Sequence, residues 1–151
     1  MSLICIWAES QNRIIGKDCK LPWKIREELA QFKEKTLGRT LIFGYNTYQG
    51  FEGRKLPGRK MELYDPSLKD SIYERSGDED IFIAGGKKTY EDFLNVTDRI
   101  IRTVIEKDFE GDTYAPEVDW SHFELVKCER FSNDEVSWKI EEWIRKDEIE
   151  C

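Results

Sequence analysis

The chain has 151 residues, 39% of them apolar and 13% aromatic, enough to bury one sizeable core, so the 36% charged fraction decorates a folded protein and does not mark disorder. A net charge of −7 argues against a binder of phosphate backbones, whose affinity comes from releasing counterions to Lys and Arg, so no nucleic-acid partner is expected. No segment approaches the ~18 consecutive apolar residues of a membrane span, and MSLICIWAE lacks the basic start and cleavage site of an export signal; a soluble, cytoplasmic chain with no membrane partner is expected.

Along the chain, LICIWAE (3–9) has the pattern of a buried strand, and the polar, Gly-containing SQNRIIGKDCK leads to a helix opened by Pro22. In that helix Ile25, Leu29, Phe32 and Thr36 share a face at about 100° per residue, and Glu28 falls roughly 40–60° from its centre. Glu27 points away, toward solvent with Glu34. RTLIFG (39–44) reads as a short buried strand. NTYQGF reads as a short helix capped by Asn46 and cut at Gly50, and KMELY (60–64), beyond the turn-rich GRKLPGRK, as another strand. No strand is evident in SLKDSIYERSGDED. DIFIAG (80–85) is a strand running into Gly85 and Gly86, KKTYEDFLNV (87–96) an amphipathic helix, and RIIRTVIE (99–106) a further strand. FELVKCERF and VSWKIEEWIR, joined by SNDE, predict a terminal antiparallel hairpin.

This alternation predicts one α/β domain over residues 1–151, a mostly parallel central sheet of about seven strands flanked by three or four helices and finished by an antiparallel C-terminal hairpin. Ligands of such folds bind outside the carboxyl ends of the strands, here the loop 10–20, Gly44, and Gly85 with Gly86.

The four cysteines, Cys5, Cys19, Cys128 and Cys151, stand singly with no CxxC pair, and one histidine, His122, leaves no constellation for a metal. Free thiols in a reducing compartment are expected. Cys5 lies in an apolar run, as a small core residue or, on the competing reading, a nucleophile.

Three features could carry chemistry. The glycines of AGGKKTY, with Lys87 and Lys88 beside them, suit the close approach of a phosphate or form a plain tight turn. Arg54, Lys55, Arg59 and Lys60 in GRKLPGRK could capture a carboxylate or phosphate, or belong to a solvated turn. Glu28 would lose hydration beside Ile25, Leu29 and Phe32 and could hold a cationic or amide-like ligand edge; alternatively it pairs with Lys24 or Lys35 at a helix boundary.

The blocks AESQNRIIGKDCKLPWKIREELAQFKEKTLG, NTYQGF, GRKLPGRK, IFIAGGKKTYEDFL, RTVIE and GDTYAP resemble, in order, those of the dihydrofolate reductase family. The resemblance implies that family's fold and the reduction of dihydrofolate to tetrahydrofolate by a monomeric enzyme with NADPH as cofactor. It further implies that antifolates such as methotrexate or trimethoprim inhibit it. Glu28, Thr103 and Leu21 match catalytic positions, Glu28 binding the pterin and promoting its protonation, with Thr103 assisting through water. Ile6, Ala8, Leu29, Phe32, Phe51, Leu56 and Tyr90 match walls of the substrate pocket, and Arg59 the residue that pairs with the substrate's glutamate carboxylate. Ile15, Gly16, Thr47, Ala84, Gly85, Gly86, Lys87 and Lys88 match cofactor positions. The loop from Asn12 to Trp23 matches a lid with Gly16 as its flexible point, and the Gly85–Gly86 peptide is expected to be cis.

The chain also departs from the family. Where relatives usually carry Arg after the glycine ending the second strand, and Ser or Thr after the third, it has Tyr45 and Asn46, then Tyr64, Asp65 and Pro66. The segment from Pro66 to Ile81 is short, and the acidic run 78–80 would repel a phosphate. Lys87 follows the paired glycines where a third glycine is common, and Ala84 replaces a larger aliphatic residue. These departures support a second expectation: a catalytically impaired, reductase-derived protein that binds folate or a partner through an eroded cofactor site.

Overall fold

Strands buried on both faces need no polar alternation, and the Ile-, Leu- and Phe-rich runs accordingly form the centre of a sheet. A computed structural model describes residues 1–18, 20–50 and 57–146. In chain order it contains β1 (Leu3–Ser10), β2 (Ile14–Gly16), α1 (Arg26–Thr36), β3 (Thr40–Phe43), α2 (Tyr45–Gly50), β4 (Lys60–Leu63), a 3-10 turn at Pro66–Leu68 and α3 (Lys69–Arg75). There follow β5 (Ile81–Ile83), α4 (Lys87–Phe93), β6 (Arg99–Ile105), β7 (Thr113–Tyr114), a 3-10 turn at Trp120–His122, β8 (Phe123–Ser132) and β9 (Ser137–Arg145). Among the described residues, seven strands form one sheet in the order β4-β3-β5-β1-β6-β9-β8, parallel from β4 to β6 and antiparallel from β6 to β8. This is the mostly parallel sheet with a terminal hairpin that the sequence pattern predicts.

The pleat divides the interior in two. Leu3, Cys5 and Trp7 of β1 pack with Ile42, Ile83, Tyr90 and Phe93 on one face. Ile4 and Ile6 pack with Trp23, Ile25, Phe43, Phe82 and Trp138 on the other, the face covered by α1. Cys5 belongs to the first core, and burial pushes its thiol up to about 12, so it behaves as a small apolar residue.

Four elements differ from expectation. Pro22 does not open α1, which starts at Arg26, because Trp23 and Ile25 are drawn into the core with Lys24 exposed between them, a period of two that keeps the chain extended. Leu29 is 41% exposed, so the buried stripe of α1 runs through Ile25, Glu28, Phe32 and Thr36, with Glu28 inside it and not at its margin. Asn46 lies within α2, since Tyr48 N–H already donates to the Gly44 carbonyl at 2.9 Å. The segment after Pro66, where no strand is predicted, folds as α3, with Ile72 in the core and Arg75 bidentate on Glu62 at 2.9 and 2.7 Å.

The acidic run 78–80 also changes meaning. It precedes β5, at the amino end of the parallel strands, where Glu79 accepts from Thr40 Oγ1 and Asp80 from the Ser2 amide, both at 2.9 Å. Gly85 lies at the other end of the same strand, so this run does not face a phosphate bound there.

One buried charge network locks β1, β6 and β9 together. Arg102 Nε donates to Glu141 Oε1 at 2.9 Å, Arg102 Nη1 lies 3.6 Å from Glu9 Oε1, and Trp7 and Trp143 donate their indole N–H groups to Glu9 and Glu141. Burial pushes the Glu141 carboxyl up, but the Trp143 N–H and the Arg102 guanidinium more than offset it and leave it below the usual carboxylate range. Arg102→Leu would leave Glu9 with the Trp7 indole alone, while Glu141 keeps Trp143 and Lys139 at 3.3 Å, and is expected to destabilise the fold by about 1–3 kcal/mol, measurable as a lower urea midpoint with unchanged slope.

Candidate active site

Glu28 projects from the first turn of α1 and is 6% exposed. Burial pushes its carboxyl above the ordinary range, and the Trp23 Nε1–H bond to Oε1, long at 3.4 Å, only partly opposes this. Glu27 is exposed and takes the opposite shift: its own backbone N–H and the Asn133 side chain hold it below the usual range. It does not simply face water, because its carboxylate accepts from Asn133 Nδ2 at 3.2 Å.

The face bearing Glu28 carries several predicted residues. Ile6, Ala8, Phe32 and Ala84 pack in or against the core of Trp23 and Ile25. Thr103 is buried on β6 and pairs with Ala8 of β1 and Ile140 of β9, which places it on the same face. Leu21 and Leu29, 48% and 41% exposed, stand at the rim. Tyr90 is placed differently: its ring lies in the opposite core, 5.2 Å from that of Trp7, and its hydroxyl donates to the Ile6 carbonyl at 2.7 Å. Arg59 is fastened to the end of α1, donating to Thr36 Oγ1 at 3.1 Å and to the Lys33 and Pro57 carbonyls. Arg54, Lys55, Phe51, Leu56, Cys19 and Cys151 lie outside the described residues.

At the carboxyl ends of β3 and β5, Gly44, Gly85 and Gly86 meet, and the Gly85–Gly86 peptide is cis, as expected. Gly44 N–H donates to the Gly85 carbonyl at 2.6 Å. A Cβ on Gly44 would lie 2.5 Å from Thr89 Oγ1, and one on Gly85 or Gly86 would lie 3.0 Å from Thr47 Oγ1. Gly85 also has φ of +130°, open to glycine and strained for other residues. The result is a cradle of bare backbone beside Thr47, with half-buried Lys87 and exposed Lys88 on its rim.

The loop 11–20 is clipped to the segment 107–117. Asn12 exchanges side-chain hydrogen bonds with the Phe109 backbone at 2.9 and 3.1 Å, and β2 pairs with β7. Asp112 donates its N–H to the Gly16 carbonyl and accepts from the Asp18 N–H, both at 3.0 Å, and the latter bond, with Thr113, holds its carboxyl below the usual range. Gly16, expected as the loop's flexible point, pairs with Thr113 in the β2–β7 ladder. A Cβ on Gly111 would fall 2.3 Å from Ile14 Cγ2, which explains the glycine of GDTYAP. Trp23 connects this loop system to Glu28, since its ring lies 5.2 Å from that of Phe109. Asp112 and Phe109 were not singled out in the sequence because their partners lie about a hundred positions away; only the GDTYAP block hinted at them.

Comparison with known proteins places this geometry. The family model described as dihydrofolate reductase matches residues 2–145. The dihydrofolate reductase of Bacillus subtilis (strain 168) is 38% identical over 143 residues, covering 86% of this chain and 84% of its own. That of Mycoplasma genitalium is 35% identical over 153 residues, covering 86% and 94%. Among solved structures, dihydrofolate reductase from Enterococcus faecalis, complexed with NADP(H) and RAB-propyl, superposes with a TM-score of 0.86 at 31% identity, covering 97% of both chains. The match in sequence and in fold shows that the chain belongs to the dihydrofolate reductase family and is an oxidoreductase of that kind.

Proposed function

We propose that the chain reduces 7,8-dihydrofolate to 5,6,7,8-tetrahydrofolate with NADPH, as a single domain over residues 1–151 and as a cytoplasmic monomer. The observation that carries this reading is Glu28, an acid buried on the inner face of α1 with one long hydrogen bond from Trp23. A carboxylate accepts two parallel N–H donors, which is what the 2-amino group and adjacent ring nitrogen of a pterin offer, and a dry site strengthens that pairing. Its raised pKa brings proton exchange nearer to neutrality, so Glu28 promotes protonation of the pterin while Thr103, on the same face, orients water toward it. Arg59, preset by the Thr36 hydroxyl and the Lys33 carbonyl of α1, takes the substrate's glutamate carboxylate.

The cradle fits a dinucleotide, whose pyrophosphate needs bare backbone. Gly85, Gly86, Thr47, Lys87 and Lys88 would hold it, with Ala84, Ile15 and Gly16 toward the nicotinamide end. When bound, NADPH supplies the hydride. Antifolates that mimic the pterin edge are expected inhibitors through the same acid.

A second reading, binding without turnover, draws on Tyr45, Asn46, Tyr64 and Asp65, which offer no cation at the carboxyl ends of β3 and β4. Loss of NADPH absorbance with dihydrofolate separates the two: retained methotrexate binding without turnover at saturating cofactor would sink the enzymatic reading. Glu28→Gln is expected to lower kcat/KM by about 100-fold or more near neutral pH, and Glu27→Gln to change it less than about twofold.

Stability should move the other way. A pKa raised by folding contributes stability only below the ordinary glutamate value and loses it as pH rises through the folded value. Glu28→Gln should therefore melt above the parent at about pH 7, with the gain vanishing below about pH 4. Gly85→Ala, which pushes a Cβ against Thr47, should weaken NADPH binding about tenfold or more, read by tryptophan quenching, while sparing methotrexate affinity.

A further inference from the structure

α1 lacks a cap of its own, since Ile25 precedes it with an extended backbone and no side-chain bond to the free amides. Two side chains of the β8–β9 hairpin grip it instead. Asn133 Nδ2 donates to Glu27 Oε1 at 3.2 Å, and Trp138 Nε1, on a side chain 1% exposed, donates to Gln31 Oε1 at 2.9 Å. At about 100° per residue, Glu27 and Gln31 lie roughly 100° and 60° to one side of Glu28, and Ile25 and Phe32 roughly 60° and 40° to the other. Glu28 thus stands on the seam between a hydrogen-bonded flank and an apolar flank. A rotation of the helix that carried it off the buried face would break both bonds.

The hairpin also dictates the polarity of the grip. Asn133 Oδ1 accepts the amides of Glu135 and Val136 at 2.8 and 2.9 Å, leaving its NH2 group for the helix, and an indole N–H can only donate. The helix must therefore present acceptors at both positions, as Glu27 and Gln31 do.

We propose that this clasp positions the catalytic acid: Asn133 and Trp138, through Glu27 and Gln31, fix the rotation of α1 that keeps Glu28 on its buried face. The proposal rests on the role given to Glu28 above. Asn133→Asp keeps one oxygen for the turn amides, removes the donor and sets a carboxylate against Glu27. It should raise KM for dihydrofolate and lower kcat/KM about tenfold, with KM for NADPH unchanged. In the double variant Glu27→Gln/Asn133→Asp the bond re-forms with its direction reversed and the parent's net charge retained, and kcat/KM should return to within about threefold of the parent. Parent-like kcat/KM in Asn133→Asp, or no recovery in a double variant that melts like the parent, overturns the proposal. Should Asn133→Asp fail to fold, Trp138→Phe, which keeps the ring and removes the N–H, decides the matter: a raised KM for dihydrofolate supports the clasp and an unchanged one overturns it. Glu28→Gln assayed alongside keeps the two ideas apart, because an active Glu28→Gln discards the role of Glu28, whereas an inactive one with parent-like Asn133→Asp discards only the clasp.

Discussion

Holding a carboxylate on the dry side of a helix opposes folding, and much of the site's construction answers that constraint. Desolvation raises the proton affinity of Glu28, and Trp23 supplies only one long hydrogen bond in compensation. The apolar groups beside it, Ile25 and Phe32, do nothing for a charge. Among the described residues Trp23 is the partner that Glu28 has, which suits the carboxylate to the donor-bearing ligand edge proposed for it.

The rest of the fold supplies the restraint that such a group requires. Trp23 touches both Glu28 and Phe109, so the acid and the segment after β6 share one aromatic joint. The hairpin turn grips α1 from the other flank. The contrast with Glu9 and Glu141 is instructive, because those buried acids share a guanidinium and two indole N–H groups and are fully engaged in joining strands. These buried carboxylates therefore differ by partner: Glu9 and Glu141 in the sheet are ion-paired and join strands, whereas Glu28 on α1 has no ion pair among the described residues.

The shortened region after β4 belongs to the same economy of structure. α3 buries Ile72 and fixes Arg75 on Glu62, so the short connection has a packed element of its own. Its exposed carboxylate Asp65 is tied to the following turn through Ser67. The glycine cradle sits one strand further in, at the ends of β3 and β5, and depends on none of these residues.

The order of the seven strands of the main sheet, the inward turn of Glu28 and the paired glycines were legible in the sequence, because hydrophobic period and steric allowance are properties of a few neighbouring residues; α3, β2 and β7 were not. The rest depended on contacts between distant positions. Leu29 belongs to the apolar stripe by spacing yet lies at its exposed rim; Gly16, suited to a flexible point, is pinned by Asp112; and the acidic run 78–80 lies at the end of the sheet away from the cradle. Asn133 and Trp138 reach α1 across more than a hundred positions. No local pattern encodes such meetings, since they exist only once β9 has paired with β6 and carried the hairpin turn to the start of the helix.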